Sequence, residues 1–249
     1  MLEKNYRHES TKDSAVGDEL KLIAAFEMKK LVILPVMIMI LFLGSCGLVA
    51  LVGTPTRHER KIPAEYPLTE HRQQKILVLV SQPGWLGAQA NLRYYLTDAM
   101  NRELSKKVKI LPENLVAYGE LSEFRSNRPD FSLLSAAEVG AALDAGMVLL
   151  VMVENYQLSE IAETGYYKGF LDAQVVLRDT ASRGKLWPES ATGKNVRVGF
   201  EVEQRGQEAA VKRLAAACAY CTVRYFYACP SDKFKIAEDN SGVSWENWQ

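Results

Sequence analysis

The residues of this chain with the most chemistry in them are its 4 cysteines and 3 histidines. Cys218-Ala-Tyr-Cys221 has the spacing of a thiol–disulfide pair, and Cys229 follows shortly after it. Where disulfides persist, three such cysteines form one bridge and leave one thiol, so Cys218, Cys221 and Cys229 are the candidates for that bridge. A reactive pair of this kind opens a helix, whose N-terminus lowers the thiol pKa. Here Val211, Leu214, Ala215, Cys218, Thr222 and Tyr225 recur at helical spacing, which sets Cys218 on a packed stripe deep in a helix, with Cys221 close beside it. Zinc would need a fourth ligand. His8, His58 and His71 all precede the first core strand, so no scaffold-held histidine is available for a Ser-His-Asp or Cys-His arrangement. Glu201 and Glu203 read as the wet side of a strand rather than an acid–base pair. A phosphate loop fails as well, since Asn195 follows Gly193-Lys194 and Pro188 stands where its first glycine belongs. The expectation is a domain with no catalytic residue, metal, small-molecule substrate or cofactor other than a covalent lipid.

That lipid concerns Cys46. Lys29-Lys30 precede an apolar run from Leu31 to Leu43, and Gly44-Ser45-Cys46 closes it. A basic stretch, a short apolar core and small residues make residues 28–45 an export signal. Leu43-Gly44-Ser45-Cys46 resembles the bacterial lipobox, which implies cleavage after Ser45 and a diacylglyceryl group on Cys46. The competing reading is an uncleaved transmembrane anchor, because apolar character continues to Gly53 and the run then reaches the ~20 residues needed to span a bilayer. Both readings put residues 54–249 outside the cytoplasm. Gly47 lacks the aspartate that retains lipoproteins in the inner membrane in enteric-type sorting, which by analogy favours the outer membrane. Residues 1–27 hold Glu3, Glu9, Asp13, Asp18, Glu19 and Glu27, odd for a basic leader, so translation is expected to start at Met28; otherwise the segment is a cytoplasmic tail.

Lys plus Arg equals Asp plus Glu at 30 each, leaving no global field to recruit nucleic acid or an anionic membrane. The length suits one compact α/β domain.

The elements that must position these residues follow from periodicity. Residues 46–74, with Pro55, Pro63 and Pro67 among charges, read as a lipidated tether. Residues 75–230 read as the domain and residues 231–249, including Trp245 and Trp248, as a polar tail. Lys75–Val80 is a continuously apolar strand buried on both faces. A helix over Asn91–Lys106, a strand over Val108–Leu111 and a short helix around Leu115–Leu121 come next. Arg125 and Arg128 lie in a loop that is solvated or holds an anion. Ser135 and Glu138 form a capping box, with Val139, Ala142 and Leu143 on one helix face and Gly146 as the stop. Met147–Val153 is a buried strand, Leu171–Leu177 and Val196–Val202 alternate as an antiparallel pair, and Ala209–Phe226 is the closing helix. The expected fold is therefore a single mixed sheet in the order β-α-β-α-β-β-β-α, with helices packed on it.

Three patterns, Lys75-Ile-Leu-Val-Leu-Val80, Ala145-Gly-Met-Val-Leu-Leu-Val151 and Ala173-Gln-Val-Val-Leu-Arg-Asp179 leading to Gly184-Lys-Leu-Trp187, carry a resemblance over residues 75–228. They resemble the envelope domain shared by the penicillin-binding-protein activator LpoB, the periplasmic part of CsgG and the N-terminal domain of TolB. The chain departs from that pattern at Pro83-Gly84-Trp85 and at Pro188 with the insertion after it. The resemblance implies a lipid-anchored domain presented to an envelope protein such as a peptidoglycan synthase or a secretion assembly. Tyr156, Tyr166, Tyr167 and Phe170 are the candidate partner contacts, with core or turn packing as their alternative role. The other functional readings are a thiol redox protein using Cys218 and Cys221, and an oligomeric export subunit, for which Asn155–Tyr167 is too short to supply a spanning hairpin.

Overall fold

A computed structural model describes residues 60–86, 91–203, 206–231 and 233–234. These belong to one compact unit, Glu59–Gln249. Its strands are β1 (Lys61–Ile62), β2 (Ile76–Ser81), β3 (Met147–Glu160), β4 (Tyr167–Asp179), β5 (Lys185–Trp187), β6 (Lys194–Glu203) and β7 (Cys229–Pro230). Its helices are α1 (Leu92–Glu103), α2 (Tyr118–Ser126), α3 (Ala136–Ala142) and α4 (Gln207–Val223).

β2 to β6 form the main sheet; β2, β3, β4 and β6 are the strands that the continuous and alternating apolar runs predict, and β5 is a short strand those runs do not mark. β2 runs parallel to β3, β3 antiparallel to β4, and β4 carries both β5 and β6 on its far side. On one face Ile76, Val78, Val80, Leu149, Val151, Leu171, Ala173, Val175 and Val198 meet α1 and α4 in the larger core. On the other, Leu77, Leu79 and Val148 meet Leu121, Val139 and Leu143 in a smaller one. β2 is thus apolar on both sides because helices cover both.

The helix predicted over 91–106 is regular to Glu103 and then widens into a π-turn, Leu104–Val108. The strand expected over Val108–Leu111 does not form. Val108 closes that turn, and Lys109 takes a left-handed φ of 66° that interrupts extended chain. Its place beside β2 is taken by Leu115, in a single parallel bridge to Ile76. Because Leu115 and Ala117 are extended, the next helix starts later than expected, at Tyr118.

The capping box is present: the Glu138 N–H donates to Ser135 Oγ at 3.3 Å, and the Ser135 N–H donates to Glu138 Oε2 at 2.8 Å. The expected stop at Gly146 is displaced. Asp144, at φ 55°, makes the left-handed turn, and the Ala145 and Asp144 N–H groups donate to Gly140 and Ala141 carbonyls in a Schellman arrangement. Ala142, expected on the packed face, is exposed. Gly140 is what lets α3 lie on the sheet, since a Cβ there would sit 2.5 Å from Val148 Cγ2 and 3.0 Å from Thr180 Oγ1. Gly-to-Ala inside a helix ordinarily gains about 1 kcal/mol of propensity, whereas overpacking a stiff core valine costs about 1–3 kcal/mol. Gly140→Ala is therefore expected to destabilise by about 1 kcal/mol in chemical denaturation, the reverse of the propensity sign.

Residues 60–74 are part of the domain, contrary to the expected tether. Ile62 pairs with Cys229, Leu68 is fully buried, and the Glu65 and Tyr66 N–H groups donate to the Tyr225 carbonyl. This strap is locked where Glu65 accepts from Trp187 Nε1 at 2.9 Å and from Lys194 Nζ at 2.7 Å. The start of the expected polar tail is packed too: Phe234 is buried, with its ring 5.4 Å from that of Tyr225. Trp245 and Trp248 lie outside the described residues.

Candidate functional site

Leu43, Gly44, Ser45 and Cys46 lie outside the described residues. Within them, the sequence candidates fall in two places, the thiols of α4 and the arm formed by β3 and β4.

The thiol stripe is built as its periodicity predicts: Val211, Leu214, Ala215, Cys218, Thr222 and Tyr225 are all buried. Cys218, Cys221 and Cys229 are buried free thiols, so the expected bridge is not formed. Cys218 and Cys221 face the packed interior from the last part of α4, and Cys229 lies past its end, held by β1 and 3.9 Å from the Tyr220 hydroxyl. Burial, with the neighbouring Cys221 adding to it, pushes the Cys218 thiol far up. Burial takes Cys221 to about 11, with Arg224 pulling the other way. A thiolate is the nucleophile in exchange chemistry, and this environment disfavours it at both positions. The geometry stores these cysteines as small apolar side chains.

The arm is longer than predicted. β3 continues past Val153 to Glu160, turns through residues 161–166, and returns along β4 from Tyr167. The turn places Ala162, Glu163 and Gly165 at positive φ and is closed by the Ile161 N–H donating to the Tyr166 carbonyl at 2.7 Å. A bulge between Val153 and Asn155 sets Tyr156 opposite Leu171. Strand alternation then puts Tyr156 and Tyr167 on the core-facing side and Phe170 on the other. Tyr156 packs on the core with its hydroxyl buried and without a hydrogen-bond partner, and burial pushes it up to about 12. The Tyr167 hydroxyl donates to Glu160 at 3.4 Å, and Tyr166 is the exposed member at the turn. The four aromatic residues therefore do not make one patch: Tyr156 has a packing role, Tyr166 is presented, and Phe170 belongs to the opposite face.

That opposite face holds a pair that local patterning does not reveal. Asp172 and Arg197 are register partners on β4 and β6, and the guanidinium donates to Asp172 Oδ2 at 2.8 and 3.3 Å. Arg197 also lies 5.6 Å over the Phe170 ring, while Asp172 Oδ1 is buried without a partner. Alternation marks both residues as off the core side, but only the strand register joins them.

No family model matches the chain, and no curated protein does. Solved structures give loose likenesses. Lipoprotein GNA1162 from Neisseria meningitidis is 17% identical, with 58% of this chain and 94% of that one covered and a TM-score of 0.36. PelC from Paraburkholderia phytofirmans, solved as a dodecamer, is 12% identical over 68% of this chain and 96% of that one, with a TM-score of 0.35. Likenesses this loose carry no argument about what the chain does.

Among the described residues, no helix is long and apolar enough to cross a membrane, and no group of three or more His, Cys, Asp or Glu side chains is placed to hold a metal. His71, the one described histidine, stacks on Tyr66 with ring centroids 5.6 Å apart.

Proposed function

We propose that this chain is a lipid-anchored envelope protein whose α/β domain works by contact rather than catalysis, on the periplasmic side and at the outer membrane. The observation that carries the reading is Leu43-Gly44-Ser45-Cys46 at the end of a short apolar run behind Lys29-Lys30. The three sequence patterns that resemble the LpoB, CsgG and TolB group support an envelope protein partner, such as a peptidoglycan synthase or a secretion assembly. The exposed Tyr166 at the tip of the arm is the aromatic contact offered to it. The buried, unionised thiols of α4 weigh against the redox alternative.

Intact-mass analysis of membrane-extracted protein tests the anchor. Wild type is expected to begin at Cys46 and to carry a diacylglyceryl adduct, whereas Cys46→Ala is expected to persist as an unmodified, uncleaved precursor. An unmodified wild-type chain that keeps residues 28–45 would establish the transmembrane anchor instead.

A further inference from the structure

Arg93 and Arg125 are half-buried cations that no carboxylate balances. Arg102 with Asp98, Arg128 with Asp130, Arg183 with Glu138 and Arg197 with Asp172 form ion pairs, and Arg178 and Arg224 donate to carbonyl or hydroxyl oxygens. Arg93, in the first turn of α1, and Arg125, in the last turn of α2, have no ion pair, and the Nε atoms of both are buried without a hydrogen-bond partner. The two helices bring them to the same place. Tyr118 and Arg125 are two turns apart and so share one face of α2. Tyr118 meets Tyr94, the neighbour of Arg93, with rings 5.4 Å apart. The Arg125 guanidinium is further held 4.7 Å over the Phe131 ring. Burial, followed by the charge of Arg93, lowers the pKa of Arg125. Arg128, just past the end of α2, is occupied by Asp130 and the Phe124 ring and takes no part.

We propose that Arg93 and Arg125, flanked by Tyr94 and Tyr118 between α1 and α2, bind a phosphate monoester. Guanidinium forks match tetrahedral oxyanions with paired, charge-assisted hydrogen bonds. Two cations without a carboxylate call for a dianion, and a phosphomonoester carries about −1.5 to −2 at neutral pH where a carboxylate supplies only one charge. Both side chains are half-buried, sheltered enough to strengthen the contact while still open to a ligand. Aromatic walls fit a phosphate borne on an organic group. That group is a soluble phosphomonoester or a lipid headgroup of the same chemistry.

The test is calorimetric titration of the full chain in neutral detergent micelles with inorganic phosphate, against chloride at matched ionic strength. Saturable binding is expected, weakened about ten-fold or more by Arg93→Gln or Arg125→Gln. Arg125→Lys, which keeps the charge but loses the fork, is expected to bind with intermediate affinity and keeps the test valid should the glutamine variant fold poorly. In phosphate-free buffer both glutamine variants are expected to melt no lower than wild type, because each removes a like-charge repulsion. Arg102→Gln, already paired on the surface, is expected to leave binding unchanged. Doping the micelles with phosphatidic acid separates the sources: competition with phosphate assigns a lipid headgroup, and its absence assigns a soluble ligand, either result upholding the site. No saturable heat, or phosphate binding unaltered in Arg93→Gln and Arg125→Gln, would overturn it.

Discussion

Trp187→Ala is expected to remove about 3–5 kcal/mol of folding stability, the scale of deleting a large buried aromatic side chain. The indole is almost fully buried, 4.9 Å from the Phe226 ring and 5.5 Å from that of Tyr225. Its Nε1–H reaches across to Glu65, so one side chain couples β5, the end of α4 and the strap at residues 60–68. Trp187→Phe keeps most of the ring contact and loses only that hydrogen bond, leaving Glu65 its ion pair with Lys194. It is expected to cost well under half as much. Guanidinium denaturation of both variants reads the difference. A loss under about 1 kcal/mol for the alanine variant would mean that the strap and the sheet are not held through this residue.

The elements legible in the sequence are those whose signal is local. Ile76–Val80 is apolar at every position because helices cover both its faces, and the Ser135–Glu138 box lies within a single turn. The α4 stripe repeats for several turns, so the burial of Cys218 and Cys221 can be read from spacing alone. The arm was hidden by one residue. Met147, Leu149, Val151 and Val153 face the larger core, but the bulge at Val153/Asn155 moves the inward positions to Tyr156 and Leu158, and the alternation loses phase where the strand in fact continues. The strap gives even less signal, since β1 and β7 are two residues each and pair across nearly the whole domain. Its prolines and charges look like a linker, although Leu68 is fully buried. Lys109 and Asp144 make left-handed turns without glycine, which is why a strand was expected at one and a later stop at the other. Arg125 looked like half of a local pair with Arg128, whereas the helices bring it to Arg93.

Alkaline pH is expected to unfold the domain through its buried thiols. Both Cys218 and Cys221 are raised above the ordinary thiol value of 9.0, so both states are protonated below that value and the full contribution is present. As pH climbs past it, the unfolded chain releases these protons first, and stability falls by on the order of 1 kcal/mol per pH unit for each group titrating in the window. For Cys221 that window runs from 9.0 to about 11, and for Cys218 it extends further. Tyr156, Tyr220 and Tyr227, raised from 10.0 mainly by burial, add to the loss above that value. With a typical margin of only about 5–15 kcal/mol, these losses bring the midpoint of unfolding into the alkaline range. Guanidinium titrations in steps from about pH 8 upward, run beside reaction with a thiol-specific reagent, check the sign and the cause together. Labelling is expected to be absent in the native protein near neutrality and to follow the unfolded fraction as pH rises. Cys218→Ala with Cys221→Ala should flatten the first part of the curve. Rapid native labelling of Cys218 near neutral pH would refute the account of these thiols as buried core and return them to the redox reading.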